Sequence, residues 1–354
     1  MRAARYYGKE DIRIEDVAEA PCSEGQVRVS PAFVGICGTD LHEYLGGPTF
    51  APTSPHPVTG DTIPITLGHE FSGIIKEIGQ GVEGLKVGQH VVVQPTIYCG
   101  SCGACNCGVE NVCYNGGFIG LSGKWGGLSD SVVVPANAIL SLPPSIPLEI
   151  GALVEPLSVA WHAISAAPLK PESTVLVLGG GPIGLAIVQC LVAVQTKKII
   201  MSEVSKSRQR FAREFGAHHV LDPKTYDLVA ISKELSGSDG PDIVFDCAGV
   251  PASITTACLA VKARGTVVNV AIWEKEVPFQ PNMLVFREAQ YKAVLGYQRK
   301  DFQAVIDNLA NGRLKPERMI TSKIKLENLV EEGILALIND KEKHVKILVE
   351  VGAK

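Results

Sequence analysis

Up to about residue 155 the apolar positions come in short runs cut by glycine and proline. QVRVSPAFVGICG (26–38), EFSGIIKEIG (70–79), GQHVVVQ (88–94) and SDSVVVPANAILSLP (129–143) mix period-two alternation with β-branched runs. Glycine-punctuated strands of this kind predict a barrel-like all-β domain. From about residue 170 the rhythm changes. STVLVLG (173–179) and KKIIMSEV (197–204) predict strands, each followed by a helix, PIGLAIVQCLVAVQ (182–195) and KSRQRFAREFGA (206–217). HHVLD, PDIVFDCAG, GTVVNVAI and YKAVLGY supply further strands, several with helical stretches between them. Strand and helix alternating at this spacing predict βαβ units and a parallel sheet. After about 295 two helices are expected, at 301–313 and 326–340, and then a closing strand, HVKILVEV (344–351). That strand could return to the first domain.

A chain of 354 residues is long enough for two domains. At 46% hydrophobic and 20% charged it has the composition of a soluble globular protein. A net charge of -4 gives no electrostatic reason to expect nucleic acid or acidic lipid as a partner. No run reaches the roughly 18 apolar residues of a membrane span. The start, MRAARYYGKEDIRIED, is charged and lacks the apolar core of a secretory signal, so the cytosol is expected, where thiols stay reduced. The ten cysteines then read as metal ligands or packing residues and not as a disulfide framework.

VLVLGGGPIGL places Gly179, Gly181 and Gly184 as G-x-G-x-x-G between an apolar strand and an apolar helix, with Pro182 and Ile183 between the last two glycines. The motif alone is weak, but this is the context it requires. The first glycine permits the tight turn, the second admits a pyrophosphate to the backbone, and the third packs helix on strand. The helix N-terminus offers free N–H groups to the phosphates. Glu203 ends the next strand about 20 residues on, where the fingerprint expects an acid for the adenosine ribose hydroxyls. A carboxylate there repels a 2′-phosphate and favours NAD over NADP. A merely solvated glutamate is the bland alternative. Arg208 leaves NADP open, since it could reach a 2′-phosphate or pack over adenine.

CGSCGACNCGVENVC (99–113) holds five cysteines in fifteen residues. Cys99, Cys102, Cys105 and Cys113 have the short spacing with which one loop can wrap a tetrahedral four-thiolate zinc. An iron–sulfur run would place its last cysteine nearer and follow it with proline, whereas Tyr114 follows here. Cys107 could compete with Cys105 as ligand. Four thiolates leave no open position, so the role expected is structural. Five unliganded thiols on a glycine-rich loop are the unattractive alternative.

GICGTDLHEY (35–44) carries Cys37, LGHEFSG carries His69 and Glu70, and LVEPLSVAWH carries Glu155. Each has a bland explanation when taken alone: a packing thiol, a core histidine, a strand-edge charge, a helix-start acid. Together they are a thiolate, an imidazole and two carboxylates, the ligand types of an open catalytic zinc site. Spacing this long carries no geometry.

These motifs, with VLGGGPIG, follow one another in the order of the zinc-containing medium-chain dehydrogenases, which the chain resembles over essentially its whole length. CGTDLHEYLGGPTF, HPVTGDTIPITLGHEFSG, NVAIW, REAQYKAVLGY and KEKHVKILVE look most like the branch acting on 2,3-butanediol and acetoin. The resemblance implies an α/β protein: a GroES-like β-rich catalytic domain, residues 1–155 completed by 296–354, and a Rossmann NAD-binding domain, residues 156–295, with catalysis in the cleft between them. It implies two zinc ions per chain, one catalytic and one structural, and a homo-oligomer, dimer or tetramer. Cys37, His69 and a carboxylate would hold the catalytic zinc, with Glu70 the ligand by likeness to polyol dehydrogenases. Glu155 would ligate it or bond its water, and the two roles could exchange. Thr39 sits where the family keeps a hydroxyl beside the bound alcohol. His42 sits where a proton could pass to solvent, while Asp40 is expected to be structural and His162 a helix residue without a catalytic role. Zinc would act as a Lewis acid on the alcohol or ketone oxygen, and the nicotinamide would carry the hydride.

The expected activity is thus interconversion of a vicinal diol and an α-hydroxyketone (2,3-butanediol and acetoin, or acetoin and diacetyl). A sugar-polyol dehydrogenase of the sorbitol or xylitol type shares every ligand and is the near rival. A non-catalytic zinc-binding protein is the distant one, opposed by the complete glycine loop.

Overall fold

In the computed structural model, which describes residues 1–273 and 275–352, the chain divides into two compact units. One comprises Met1–Glu155, Gln298–Ala310 and the chain from Pro316 onward; the other comprises Pro156–Tyr297 and Asn311–Lys315.

The first unit is built on Gln26–Gly35, a ten-residue strand. It pairs antiparallel with Glu70–Ile78, with Val132–Pro135 and with the last strand, Lys346–Glu350. Pro31 has no N–H for the ladder, and the register shifts between Pro31 and Phe33. His90–Val93, Ile139–Ser141 and Ile320–Lys325 extend this sheet to seven strands. A second, three-stranded sheet joins Asp11–Asp16, Arg2–Gly8 and Ile65–Thr66. Val27, Val29, Ile75, Val91 and Ile347 are fully buried in the core of this unit. One consequence of register matters most: Gly35 lies opposite Glu70 on one side and Leu348 on the other. Cys37 and His69, just beyond the ends of two of these strands, therefore meet Glu70, and Lys346, which opens the last strand, reaches the same carboxylate.

The second unit carries a six-stranded, wholly parallel sheet. Its order is His219–Leu221, Lys198–Ser202, Thr174–Leu178, Ile243–Asp246, Thr266–Asn269, Gln290–Ala293, a doubly wound arrangement. Val175, Leu176 and Val177 are all fully buried, as strands covered on both faces require.

Two sequence expectations change. The stretch 129–143 is two strands, Val132–Pro135 and Ile139–Ser141, separated by a 3-10 turn and paired with different partners. The helix expected over 326–340 is a 3-10 turn, a π-helical segment Leu329–Ile334 and a short α-helix Leu335–Asn339. At Gly333 a Cβ would stand 2.6 Å from Ile36 Cδ1, so only glycine lets this segment pack so close to the core. The charged first sixteen residues form a hairpin, Arg2–Gly8 with Asp11–Asp16, that their composition did not announce. Among the described residues no helix is long and apolar enough to cross a membrane.

Candidate metal and cofactor sites

Cys37 precedes helix α1 (Gly38–Gly46) as its N-cap. The helix starts there because Asp40, in its first turn, turns back to accept a hydrogen bond from the Cys37 backbone N–H (2.9 Å). Ligand atoms of Cys37, His69 and Glu70 all lie within 4.8 Å of one another. His69 is 3% and Glu70 1% exposed. Thr39 Oγ1 lies 3.6 Å from Cys37 Sγ. His42, one turn on, shares the Thr39 face of α1 and is half-buried.

Glu155 does not join this cluster. It is buried in the first turn of the helix Val154–Ala166, and its charge acts on both His69 and Lys346. Burial opposes a charge on His69, but Cys37, Asp40 and Glu155 outweigh it and push its pKa up to about 10. The pocket attracts positive charge, as a divalent cation site must. His69 Nδ1 and Asp40 Oδ1 are buried, unpartnered and 3.8 Å apart. The donor set of thiolate, imidazole and carboxylate fits zinc.

Two groups here were not foreseen. Lys346, 2% exposed, donates to both carboxylate oxygens of Glu70 (2.8 and 2.7 Å) and to the Ile36 carbonyl (3.1 Å). Burial works against its charge, yet Glu70 and Cys37 raise its pKa. A Cβ on residue 35 would meet Glu70 Oε2 at 2.1 Å, so only glycine leaves room for this carboxylate. In KILVE the lysine looks like an ordinary polar strand position; only the register of three strands reveals its partner. Asp40, expected to be merely structural, faces His69 and so orients a candidate ligand.

Four thiols form the second cluster, and all four sulfurs lie within 4.8 Å of one another. Sγ–Sγ separations are 3.5 Å for Cys102–Cys105, 3.7 Å for Cys102–Cys113 and 3.6 Å for Cys99–Cys113. A tetrahedron with Zn–S bonds of about 2.3 Å has edges of ~3.8 Å, so the four positions fit zinc. Hydrogen bonds from the Ser101 and Cys102 backbone pull the Cys99 thiol down to about 5, whereas burial beside the other sulfurs pushes Cys105 up to about 12. Four thiols this close cannot all ionise without a cation among them. Cys107 is exposed and lies outside the cluster, which Cys105 joins.

In the second unit the strand Thr174–Leu178 runs into Gly179, whose φ of +94° suits glycine, and the helix Pro182–Ala193 begins from Gly181 with Pro182 at its first position. Ile183 follows in the first turn. A Cβ on Gly184 would stand 1.9 Å from the Gly179 carbonyl oxygen, which enforces the third glycine. A Cβ on Gly181 would meet nothing within 4 Å, and that open side is where a pyrophosphate can approach. Glu203 is buried, one carboxylate oxygen accepting from Gly180 N–H (2.6 Å) and the other from Ser205 N–H (2.7 Å). The acid is thereby fixed beside the glycine loop. Arg208 lies in the first turn of the next helix, Lys206–Glu214, capped by Ser205.

The alcohol dehydrogenase GroES-like domain family matches residues 23–144, and the zinc-binding dehydrogenase family matches residues 182–311. The (R,R)-butanediol dehydrogenase of Bacillus subtilis is 42% identical over 350 residues, covering 99% of each chain. That of Neisseria gonorrhoeae is 40% identical over 352 residues, again covering 99% of each chain. The crystal structure of 2R,3R-butanediol dehydrogenase from Bacillus subtilis superposes with a TM-score of 0.93 at 41% identity, covering 99% of both chains. With relatives this similar along its full length, the chain belongs to the zinc-binding dehydrogenases with a GroES-like domain and a Rossmann-type domain, enzymes that act on CH–OH groups.

Proposed function

We propose that the protein interconverts a vicinal diol and an α-hydroxyketone, 2,3-butanediol and acetoin or the related acetoin and diacetyl, with NAD(H) as hydride carrier. The observation that carries this reading is the meeting of Cys37, His69 and Glu70 beside the Thr39–His42 face of α1, in a chain whose full-length relatives are butanediol dehydrogenases. In this reading a GroES-like domain, residues 1–155 with 296–354, is catalytic. A Rossmann domain, residues 156–295, binds NAD.

Cys37, His69 and a carboxylate hold the catalytic zinc. Glu70 lies inside the cluster and Glu155 outside it, so Glu70 is the nearer ligand, while Glu155 ligates or bonds a water in exchange with it. Zinc bound there supplies Lewis acidity, polarising the substrate oxygen and lowering the pKa of its hydroxyl. Thr39 receives the substrate proton through its hydroxyl and His42, one turn on, releases it outward. Cys99, Cys102, Cys105 and Cys113 hold a second, structural zinc.

Gly179, Gly181, Pro182, Ile183 and Gly184 cradle the cofactor pyrophosphate, and Glu203 accepts from the adenosine ribose hydroxyls. A carboxylate pinned by two backbone amides has little freedom to make way for a 2′-phosphate, which supports NAD as the cofactor. Arg208 packs beside the adenine. Gln290–Ala293, the edge strand of the parallel sheet, is exposed throughout, and Val285 (61%) and Phe286 (84%) stand exposed just before it. This apolar edge supports a homo-oligomer, dimer or tetramer. Ten unpaired cysteines suit the reducing cytosol.

Sugar-polyol oxidation is the second reading; the sorbitol and xylulose relatives are less similar than the butanediol ones. Initial rates with acetoin, butanediol, sorbitol and xylitol under matched conditions decide between them. The proposal expects kcat/KM for butanediol to exceed that for the sugar alcohols by about tenfold or more. Equal or reversed ranking contradicts it.

A further inference from the structure

Helix α1 buries two carboxylates on one face, Asp40 and Glu43, both fully inaccessible. Asp40 is used by Cys37 and His69, as described. Glu43 has no lysine or arginine paired with it among the described residues. Its carboxylate instead accepts hydrogen bonds from the chain just beyond the helix. The Thr49 N–H reaches both oxygens (3.1 Å each), the Phe50 and Ala51 N–H groups donate to Oε1, and so does the Thr49 hydroxyl.

A buried carboxylate satisfied only by dipoles is a costly way to end a helix, since water or a small polar cap would serve. What it achieves is to fasten a strap, residues 47–62, to the helix. At its far end the strap is already secured to the backbone of residues 122–124: the Thr59 hydroxyl donates to the Ser122 carbonyl (3.0 Å), and Asp61 accepts from the Lys124 N–H (2.9 Å). Near α1, Glu43 gathers three consecutive amides into one carboxylate. The helix itself is held from below, its Glu43 carbonyl accepting from the Tyr6 hydroxyl (2.8 Å) and its Tyr44 carbonyl from the Glu10 N–H (2.8 Å). Leu45 (44% exposed) continues the Thr39–His42 face one turn further, and Phe50 (39% exposed) is the residue whose amide the clamp holds. Leu45, on α1, and Phe50, held by Glu43 at the start of the strap, are thus two exposed apolar residues. That combination suits a small substrate whose adjacent oxygens are flanked by short alkyl ends.

We infer that Glu43 is a positioning residue for substrate: it fixes Thr49–Ala51 against α1 so that the strap forms an apolar rim beside Thr39 and His42. The inference rests on the diol reading for the substrate and on geometry alone for the clamp. Two variants, Glu43→Ala and Glu43→Gln, separate these. In Glu43→Ala the amides of Thr49–Ala51 should exchange with solvent about a hundredfold faster or more, while amides in Gln26–Gly35 keep wild-type protection. KM for acetoin and butanediol should rise about tenfold with kcat changed less than about threefold, and the Kd for NADH should not move. Glu43→Gln keeps one acceptor oxygen and should recover part of both effects. Wild-type exchange at Thr49–Ala51 in Glu43→Ala overturns the clamp; so does a loss of kcat with KM unmoved, or a failure of Glu43→Gln to recover any of the loss. A wild-type enzyme inactive on acetoin and butanediol sinks the substrate reading instead, and the exchange data then still judge the clamp.

Discussion

The four sulfurs of the cysteine lobe come from fifteen consecutive residues, 99–113. The groups around His69 come from positions 37, 40, 69, 70, 155 and 346, nearly the whole length of the chain. The lobe is closed: four thiols face one another and nothing else is needed to complete a tetrahedron. The second site is open and supported from outside, with Asp40 behind His69 and Lys346 behind Glu70. A local loop can secure a metal, but a site meant to exchange ligands with substrate needs rigid partners from several strands to keep its free position free.

Breaking the lobe should have the largest structural effect. Cys102→Ser removes one of four thiolates in a kind of site that contributes ~10–16 kcal/mol in zinc-finger peptides. Metal content should fall by one zinc per chain and residues 99–113 should become protease-sensitive, as seen by elemental analysis and limited proteolysis. Retention of both metals would show that the lobe is not a four-thiolate site.

Lys346→Met should act on the other site by leaving Glu70 buried without its cation, a kind of loss that costs about 3–5 kcal/mol. Denaturant unfolding measures it, and adding Glu70→Gln should restore most of the stability because the uncompensated charge goes too. Additive losses would mean that the pair is not coupled. A smaller effect is expected for Asp40→Asn, which weakens the hold on His69. Chelator competition should show metal affinity at the catalytic site reduced about 10- to 100-fold, with the lobe unaffected. The smallest belongs to Cys107→Ser. This exposed thiol lies outside the cluster, and its loss should leave metal content unchanged and stability within about 0.5 kcal/mol.

The same contrast explains what could be read from the chain. Cys99 to Cys113 announce themselves because a single loop encodes both ligands and geometry. The glycine loop does so because strand, Gly179, Gly181, Gly184 and helix follow one another without interruption. Cys37 lies 32 and 33 residues before His69 and Glu70; their types suit one zinc, but spacing this long carries no geometry. Their meeting depends on the register that sets Gly35 opposite Glu70 and Leu348. Lys346 and Glu43 escaped notice for a related reason. Each looks like a surface charge in its own stretch, and its partners lie across a sheet or beyond a helix end. The π-helical Leu329–Ile334 segment and the close approach at Gly333 are tertiary features that helical periodicity does not display.

We propose a division of labour in which the open site catalyses and the closed one only holds the fold. Its most direct test is zinc content per chain, measured together with acetoin-driven NADH oxidation, in the wild type and in Cys37→Ser. The account predicts two zincs and turnover in the wild type. In the variant it predicts one zinc, a retained fold and a rate lower by about a thousandfold or more. A Cys37→Ser enzyme that turns over at the wild-type rate, or a wild type that oxidises NADH with acetoin while holding only the lobe zinc, would contradict it.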